Sequence, residues 1–284
     1  MSTTQILILG AIAGFTIFLG LPVARLEQTS DRLRAALCAL ATGVLVFLLW
    51  DVLVHGIGPV EEALEQAVDG EGSWGRFAGL AALAGGGLIA GLMSLVYYAG
   101  WMSNRRSSGL VGPGAAAVDE FEQRSWFEAL PLGRRLALLI ATGIGLHNFG
   151  EGLAIGQSAA ADQISLALAL IIGFGLHNAT EGFGIVGPMA ADGDKPSWGF
   201  LGLLGVIGGA PTFIGTVIGQ AWVNEALSVA FFAIAAGSIL YVVQELFGVM
   251  RRFNLPVLIG WMVLAGLLLG FGTDFVLEAA EHMG

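Results

Sequence analysis

Long apolar segments joined by short polar connections make up most of the chain. A membrane-spanning helix needs about 20 consecutive apolar residues to cross a hydrocarbon core roughly 30 Å thick. Eight segments satisfy this requirement, and the ten-residue alternation expected of barrel strands is absent. The pattern predicts an all-α integral membrane protein with one transmembrane domain over residues 1–284. Its eight transmembrane helices are predicted at about 4–23, 34–56, 76–101, 134–159, 164–190, 197–220, 226–250 and 255–275.

The composition supports a membrane protein and argues against a nucleic-acid partner. Hydrophobic residues make up 56% of the chain and charged residues only 12%, whereas soluble domains carry about 25% charged residues. The 44 glycines are typical of helices that approach one another closely in lipid. Such glycines can bring helices together within one subunit or between two subunits. A homodimer is therefore as compatible with the sequence as a monomer. The formal charge of −10 comes without a basic patch, and no nucleic acid is expected to bind.

Basic residues lie almost entirely on one side of the predicted spans. Eleven Lys and Arg residues follow the first, third, fifth and seventh spans or immediately precede the next, whereas Arg76 alone lies on the other side. The positive-inside rule therefore predicts that both termini are outside the cell. The longest cytoplasmic connection, about 102–133, is polar and is interpreted as a flexible connector. The outward connection at 57–75 carries five acids, which are interpreted as a solvated helical turn or as a surface attracting cations to an entrance.

One polar motif occurs twice inside the apolar segments. Gly-Leu-His-Asn-Phe-Gly-Glu-Gly begins at Gly145, and Gly-Leu-His-Asn-Ala-Thr-Glu-Gly begins at Gly175. Residues i and i+4 of a helix share a face, so each His aligns with the Glu that follows it. The short connection 160–163 makes the fourth and fifth spans neighbours. Two imidazoles, two carboxamides and two carboxylates are therefore predicted at one depth, near the bilayer centre, from His147, Asn148, Glu151, His177, Asn178 and Glu181.

These groups favour a divalent transition metal. A lone membrane histidine could simply bond a neighbouring carbonyl, but two His and two Glu at matched depth are costly in lipid and indicate a functional site. Neutral imidazole and carboxylate are standard Zn²⁺ ligands and also bind Fe²⁺, Mn²⁺ and Co²⁺. Cysteine is absent from the motif, which suits a protein that has to release its metal.

The doubled motif resembles the signature of the ZIP (Zrt/Irt-like) metal transporters, His-Asn-x-Pro-Glu-Gly in the fourth helix and a related sequence in the fifth. The segment Ala-Ala-Gly-Ser-Ile-Leu-Tyr-Val-Val-Gln-Glu-Leu, residues 235–246, is also similar to that family's seventh span. The resemblance implies an inverted-repeat bundle in which spans 1–3 and spans 6–8 enclose spans 4 and 5. It implies metal ligation by the six motif residues, and a role for Glu245 near the cytoplasmic exit.

The chain departs from the family pattern at several positions. Gly150 and Thr180 replace the usual prolines, and Ala210-Pro211 stands where the family has Glu-Pro in the sixth span. Without that glutamate we expect one well-occupied metal ion, with any second ion weak. Asp51 lies in the outer part of the second span, where it either lines the access route or forms a structural hydrogen bond. Glu245 is open to a second interpretation, pairing with Arg251 or Arg252.

The leading hypothesis is transport of divalent metal into the cytoplasm across the plasma membrane by alternating access. Zn²⁺ is the first choice, with Fe²⁺, Mn²⁺, Co²⁺ and Cd²⁺ as alternatives; the metal is the transported substrate, and no cofactor or catalytic residue is expected. An intramembrane metal-dependent hydrolase is the second hypothesis, although His-Glu-x-x-His is missing. A metal sensor is the third, and the lack of a soluble output domain weighs against it.

Overall fold

The fold is an all-helical bundle, as seen in a computed structural model that describes residues 2–25, 30–107, 130–160, 164–191, 194–221 and 224–283. Within these ranges nearly every residue is helical, and no strand occurs. The helices are α1 (Thr3–Phe15), α2 (Asp31–Val68), α3 (Trp74–Ser107), α4 (Leu132–Ala160), α5 (Ile164–Ala191), α6 (Trp198–Ala221), α7 (Glu225–Arg251) and α8 (Pro256–Met283). Two 3₁₀ segments, Thr16–Leu19 and Leu21–Arg25, prolong α1. The predicted all-α class is confirmed.

The helices have the length and composition of membrane spans. Among the described residues, seven segments are long and apolar enough to cross a bilayer: α1 with its 3₁₀ extension, α2, α3, α4, α6, α7 and α8. Helix α5, which carries the second polar motif, has 28 residues, about 42 Å at 1.5 Å per residue. This length also exceeds the hydrocarbon core. The architecture is that of a multi-pass membrane protein.

Large apolar side chains cover the outside of the bundle, above all on α3 and α8. In the most apolar window of α3 only 17% of residues are buried, and in that of α8 only 11%. The exposed Trp74 and Trp198 are the first residues of α3 and α6. Tryptophan favours the boundary between lipid and water. Both features fit a bundle surrounded by lipid.

Helix α2 is longer than the sequence analysis expected. The second span was predicted to end near residue 56, but α2 continues to Val68, so much of the predicted 57–75 connection is helical. Ala63 and Ala67, one turn apart, are buried on this extension, and Ala63 packs with Leu80 and Val229. The buried alanines give this part of α2 an apolar face that packs on the bundle, and its acidic residues lie on the side that faces solvent. The helix therefore continues beyond the apolar span. The helical interpretation of this segment was correct, and its length was underestimated.

Helices α3 and α8 also extend past their predicted ends. Helix α3 runs to Ser107 and so includes the first residues of the predicted connection 102–133. Residues 108–129 of that connection lie outside the described residues. Helix α8 continues from the predicted limit near 275 to Met283. Apolar windows locate the membrane core of a helix but do not mark where its polar ends stop.

The closest packing divides the helices into two groups, which also contact each other through α4 and α7 and through α2 and α5. Helix α4 packs chiefly on α6 and α5, and α1 packs on α5 and α6. In the other group α3 packs on α7, and α2 packs on α8 and α7. We call these the motif group (α1, α4, α5, α6) and the outer group (α2, α3, α7, α8). Helices α1 and α6, the first spans of the two sets of three that the resemblance relates by an inverted repeat, both lie in the motif group.

Charged contacts join the ends of the motif helices. At the start of α4, the Arg134 guanidinium donates from Nε and Nη2 to the two Asp194 carboxylate oxygens, at 2.6 and 2.9 Å. Arg25 donates to the carbonyl of Pro196, and its guanidinium lies 4.9 Å from the centre of the Trp198 ring. The connection between α5 and α6 is thus fastened to the ends of α1 and α4. This is the end of the bundle where the basic residues collect.

Candidate metal centre

The two polar motifs face each other in the middle of neighbouring helices. His147 lies 15 residues from the start of α4 and 13 from its end. His177 lies 13 residues from the start of α5 and 14 from its end. The two imidazole rings are 6.2 Å apart between centroids. The i, i+4 spacing brings each glutamate onto the same face as its histidine, so the motifs form one buried layer.

Glu151 is the centre of this layer. Its Oε1 lies 3.0 Å from His147 Nε2 on the same helix and also contacts His177 Nε2 on α5. One ligand atom from each of these three residues lies within 4.8 Å of the others, a spacing suited to a single metal ion. Two imidazole nitrogens therefore converge on one carboxylate.

The second carboxylate, that of Glu181 on α5, is bonded to a side chain of α4. Asn148 Nδ2 on α4 donates to Glu181 Oε2 on α5 at 3.3 Å and to the Gly208 carbonyl on α6 at 2.9 Å. Asn178 Nδ2 instead donates to the Ala13 carbonyl of α1 at 3.1 Å. The two carboxamides therefore connect α4 and α5 to α6 and α1, which fixes the depth of both motifs. Glu181 lies in the same layer but outside the tight group of three.

Several oxygen atoms of this layer have no hydrogen-bond partner. All six motif side chains are buried, with His177 the most exposed at 7%. The unpartnered oxygens are Asn148 Oδ1, Glu151 Oε2, Asn178 Oδ1 and Glu181 Oε1. A buried acceptor without a partner is costly, and a buried carboxylate even more so. A divalent cation held between His147, Glu151 and His177 would offset the negative charge and give a carboxylate oxygen a partner, so the residues present fit a metal ion.

Apolar layers cover the polar layer on both sides. Towards the ends where α4 finishes and α5 begins, Ile155, Ile171 and Phe174 form one buried cluster with residues of α1. Towards the basic end, Ile140 and Ile185 belong to a second, larger cluster. An ion at the motifs would be separated from water on either side. Exchange of such an ion with solution would require the helices to move.

Gly150, Thr180 and Ala210, the positions at which the motifs differ from the ZIP signature, all lie within continuous helices. Helices α4 and α5 continue without interruption through Gly150 and Thr180, and the Thr180 hydroxyl donates to the His177 carbonyl at 2.7 Å. On α6, the Gly208 carbonyl faces the motif, and Ala210, two residues further along, is half-buried.

The two candidate pathway residues lie outside the cluster. Asp51 is paired on its own helix with His55, whose Nδ1 lies 3.4 Å from Asp51 Oδ1 and 2.9 Å from its carbonyl oxygen. The Asp51 carboxylate is partly exposed. Glu245 is half-buried on α7. Neither residue belongs to the group suited to a metal ion.

The sequence analysis missed a polar stripe on α6. Thr212 and Thr216 are fully buried, and Gln220 follows one turn later. The Thr216 hydroxyl donates to the Thr212 carbonyl at 2.9 Å, whereas Thr212 Oγ1 and Gln220 Nε2 have no partner. Their spacing of four residues in an apolar span places them on one face. That spacing could have identified them, since polar residues inside a span are costly.

Comparison with known proteins does not assign the chain to a family. No protein-family model matches it, and no curated protein matches it at a significant level.

Proposed function

We propose that this protein carries divalent transition-metal ions, Zn²⁺ first, across the plasma membrane into the cytoplasm, and that it is related to the ZIP transporters. The observation that carries the proposal is the buried layer of two imidazoles, two carboxylates and two carboxamides with unpartnered oxygens. In lipid such a layer is costly when empty and favourable around a cation. A structural role would leave those oxygens unsatisfied.

The donor atoms argue for a transition metal rather than Ca²⁺ or Mg²⁺. Imidazole nitrogen suits Zn²⁺, Fe²⁺ and similar ions, whereas Ca²⁺ and Mg²⁺ prefer oxygen ligands throughout. His147 and His177 both contact or approach the same Glu151 oxygen. We propose that these three residues hold one ion, with Glu181 and Asn148 completing the site. The motif carries no thiolate, which favours release of the ion.

The packing supports transport by alternating access. Apolar clusters cover the polar layer on both sides, so an ion reaches it only when one cluster opens. The motif group and the outer group are candidates for the two moving bodies. Paired packing of α3 with α7 and of α8 with α2 is also what an inverted repeat relating spans 1–3 to spans 6–8 would produce. We propose this repeat, with both termini outside the cell.

Ion entry into sealed proteoliposomes tests the proposed function. We expect purified protein to admit Zn²⁺ to vesicles that contain a fluorescent zinc indicator, at a rate that saturates with Zn²⁺ concentration. Protein-free vesicles and vesicles loaded with the Glu181→Ala variant are the controls. A metal-dependent hydrolase or a sensor would bind Zn²⁺ without admitting it. Binding without any flux in wild-type protein would exclude transport.

Zn²⁺ affinity is expected to fall as the pH is lowered. Histidine nitrogen and carboxylate oxygen bind metal only after losing their protons, so protons compete with Zn²⁺ for the same atoms. Stability of the complex is therefore greatest at higher pH and is lost as the pH falls through the histidine range. Isothermal titration between about pH 7.5 and about pH 5.5 measures this effect. An affinity that does not change over this interval would count against ligation by His147 and His177.

A further inference from the structure

We propose a binding site for an anionic phospholipid at the basic end of α7 and α8. A groove of about 420 Å³ lies between the two helices, within the range of small-ligand pockets. Its walls are apolar, and they include Phe247, Met250, Ile259 and Val263. The chemical class of the ligand is a phospholipid whose acyl chain occupies the groove and whose negatively charged headgroup lies at its mouth.

The floor of the groove is packed against α2. The Thr42 hydroxyl approaches the Met250 sulfur at 3.9 Å, and both residues are buried. The ideal position of a Cβ on Gly43 would lie only 2.1 Å from the Val263 carbonyl oxygen, so the α2 and α8 backbones are in direct contact. The groove is therefore a preformed depression between packed helices.

A second depression adjoins the groove on α8. It measures about 310 Å³ and is lined by Val257, Trp261 and Leu264. Pro256 and Gly260 line both depressions. A membrane phospholipid has two acyl chains that diverge from one headgroup. Two apolar depressions that meet at the end of α8 match this shape.

The mouth of the groove carries donors and positive charge. Arg251 and Asn254 line it, and both are exposed. Pro256 begins α8, and the preceding residue, Leu255, has no side-chain acceptor to cap the helix. The first N–H groups of α8 and its dipole therefore favour an anion here. Basic pockets between membrane helices on the cytoplasmic side are suited to anionic lipid headgroups.

Competition between two lipids on wild-type protein is the first test. Detergent-solubilised protein is equilibrated with equimolar phosphatidylglycerol and phosphatidylcholine of identical acyl chains, and retained lipid is measured by native mass spectrometry. We expect phosphatidylglycerol to be retained about fivefold over phosphatidylcholine, the preference that one basic residue near a headgroup supplies. Equal retention of the two lipids would overturn the proposal, and this comparison needs no variant.

Four variants locate the site. Arg251→Gln should remove the preference for phosphatidylglycerol, whereas Arg252→Gln, one residue outside the lining, should preserve it. Gly260→Phe should reduce retention of both lipids, and Gly272→Phe on the same helix should not. Both glycines have nothing within 4 Å of a Cβ, so both new side chains leave the backbone into open space.

A thermal readout accompanies the mass measurement. Phosphatidylglycerol should raise the melting temperature of wild-type protein and of Gly272→Phe, but not of Gly260→Phe, because only a ligand bound to the folded state stabilises it. Unchanged retention in Arg251→Gln or Gly260→Phe would refute the site. A homodimer that Gly260→Phe dissociates, without any lipid preference in wild-type protein, would identify a second copy of the chain as the occupant instead.

Discussion

Replacing Glu151 with glutamine is expected to lower the initial rate of Zn²⁺ entry into proteoliposomes by at least about tenfold. Loss of a residue that only supports a metal ligand typically costs 10- to 100-fold, and Glu151 is itself a proposed ligand. Its Oε1 lies against both His147 and His177, and its Oε2 is free to bind an ion. Glutamine keeps the volume of the side chain but removes its negative charge.

A control on the same helix separates this effect from damage to the fold. Thr142 is exposed on α4, and its hydroxyl donates to the Leu138 carbonyl, so Thr142→Val should transport at close to the wild-type rate. His177→Ala and Glu181→Ala are expected to lose most of the flux, as Glu151→Gln does. Zn²⁺ entry at the wild-type rate in a well-folded Glu151→Gln protein would remove Glu151 from the site.

The helices and the polar layer were predictable because they depend on local sequence. A window of about 20 apolar residues defines a membrane span, and all eight predicted spans correspond to helices. The spacing of His147 from Glu151 and of His177 from Glu181 fixes a common face on each helix. The short connection between α4 and α5 then makes those faces neighbours. The sequence was sufficient to predict that the two motifs meet.

The partners of the carboxamides could not be predicted in this way. Asn148 donates to a carbonyl of α6, and Asn178 donates to a carbonyl of α1. These contacts depend on how α1 and α6 pack around the motif helices, and nothing local in the sequence specifies that packing. The grouping of α1 with α4, α5 and α6 depends on the same packing. Helix α2 was predicted too short because its outer turns are polar on one side.

The role of each glycine also depends on packing that the sequence does not reveal. The abundance of glycine predicted close helix contacts, but it did not distinguish buried glycines from those that face outwards. On α4, the ideal Cβ of Gly152 would lie 2.1 Å from the Thr212 carbonyl oxygen of α6. On α7, a Cβ on Gly248 would meet nothing within 4 Å. The same substitution at these two positions should therefore have opposite consequences.

Gly152→Ala is expected to destabilise the protein by about 1–3 kcal/mol, the usual cost of overpacking, and to abolish most Zn²⁺ entry. The obstructing atoms are backbone atoms of Thr212 and Thr216, at 2.1–2.9 Å from the ideal Cβ, so α4 and α6 would have to separate. Separation would displace Glu151, the preceding residue, and lengthen the bond from Asn148 to the Gly208 carbonyl. Thermal unfolding in detergent measures the stability, and the vesicle assay measures the transport.

Gly248→Ala is the matched control for this last experiment. An alanine on the exposed face of α7 meets no neighbour and has a higher helix propensity than glycine by about 1 kcal/mol. Its melting temperature should equal or exceed that of wild-type protein, with transport unchanged. Equal melting temperatures and equal flux for Gly152→Ala and Gly248→Ala would show that α4 and α6 do not pack as closely as described. In that case α6 would not support the proposed metal centre.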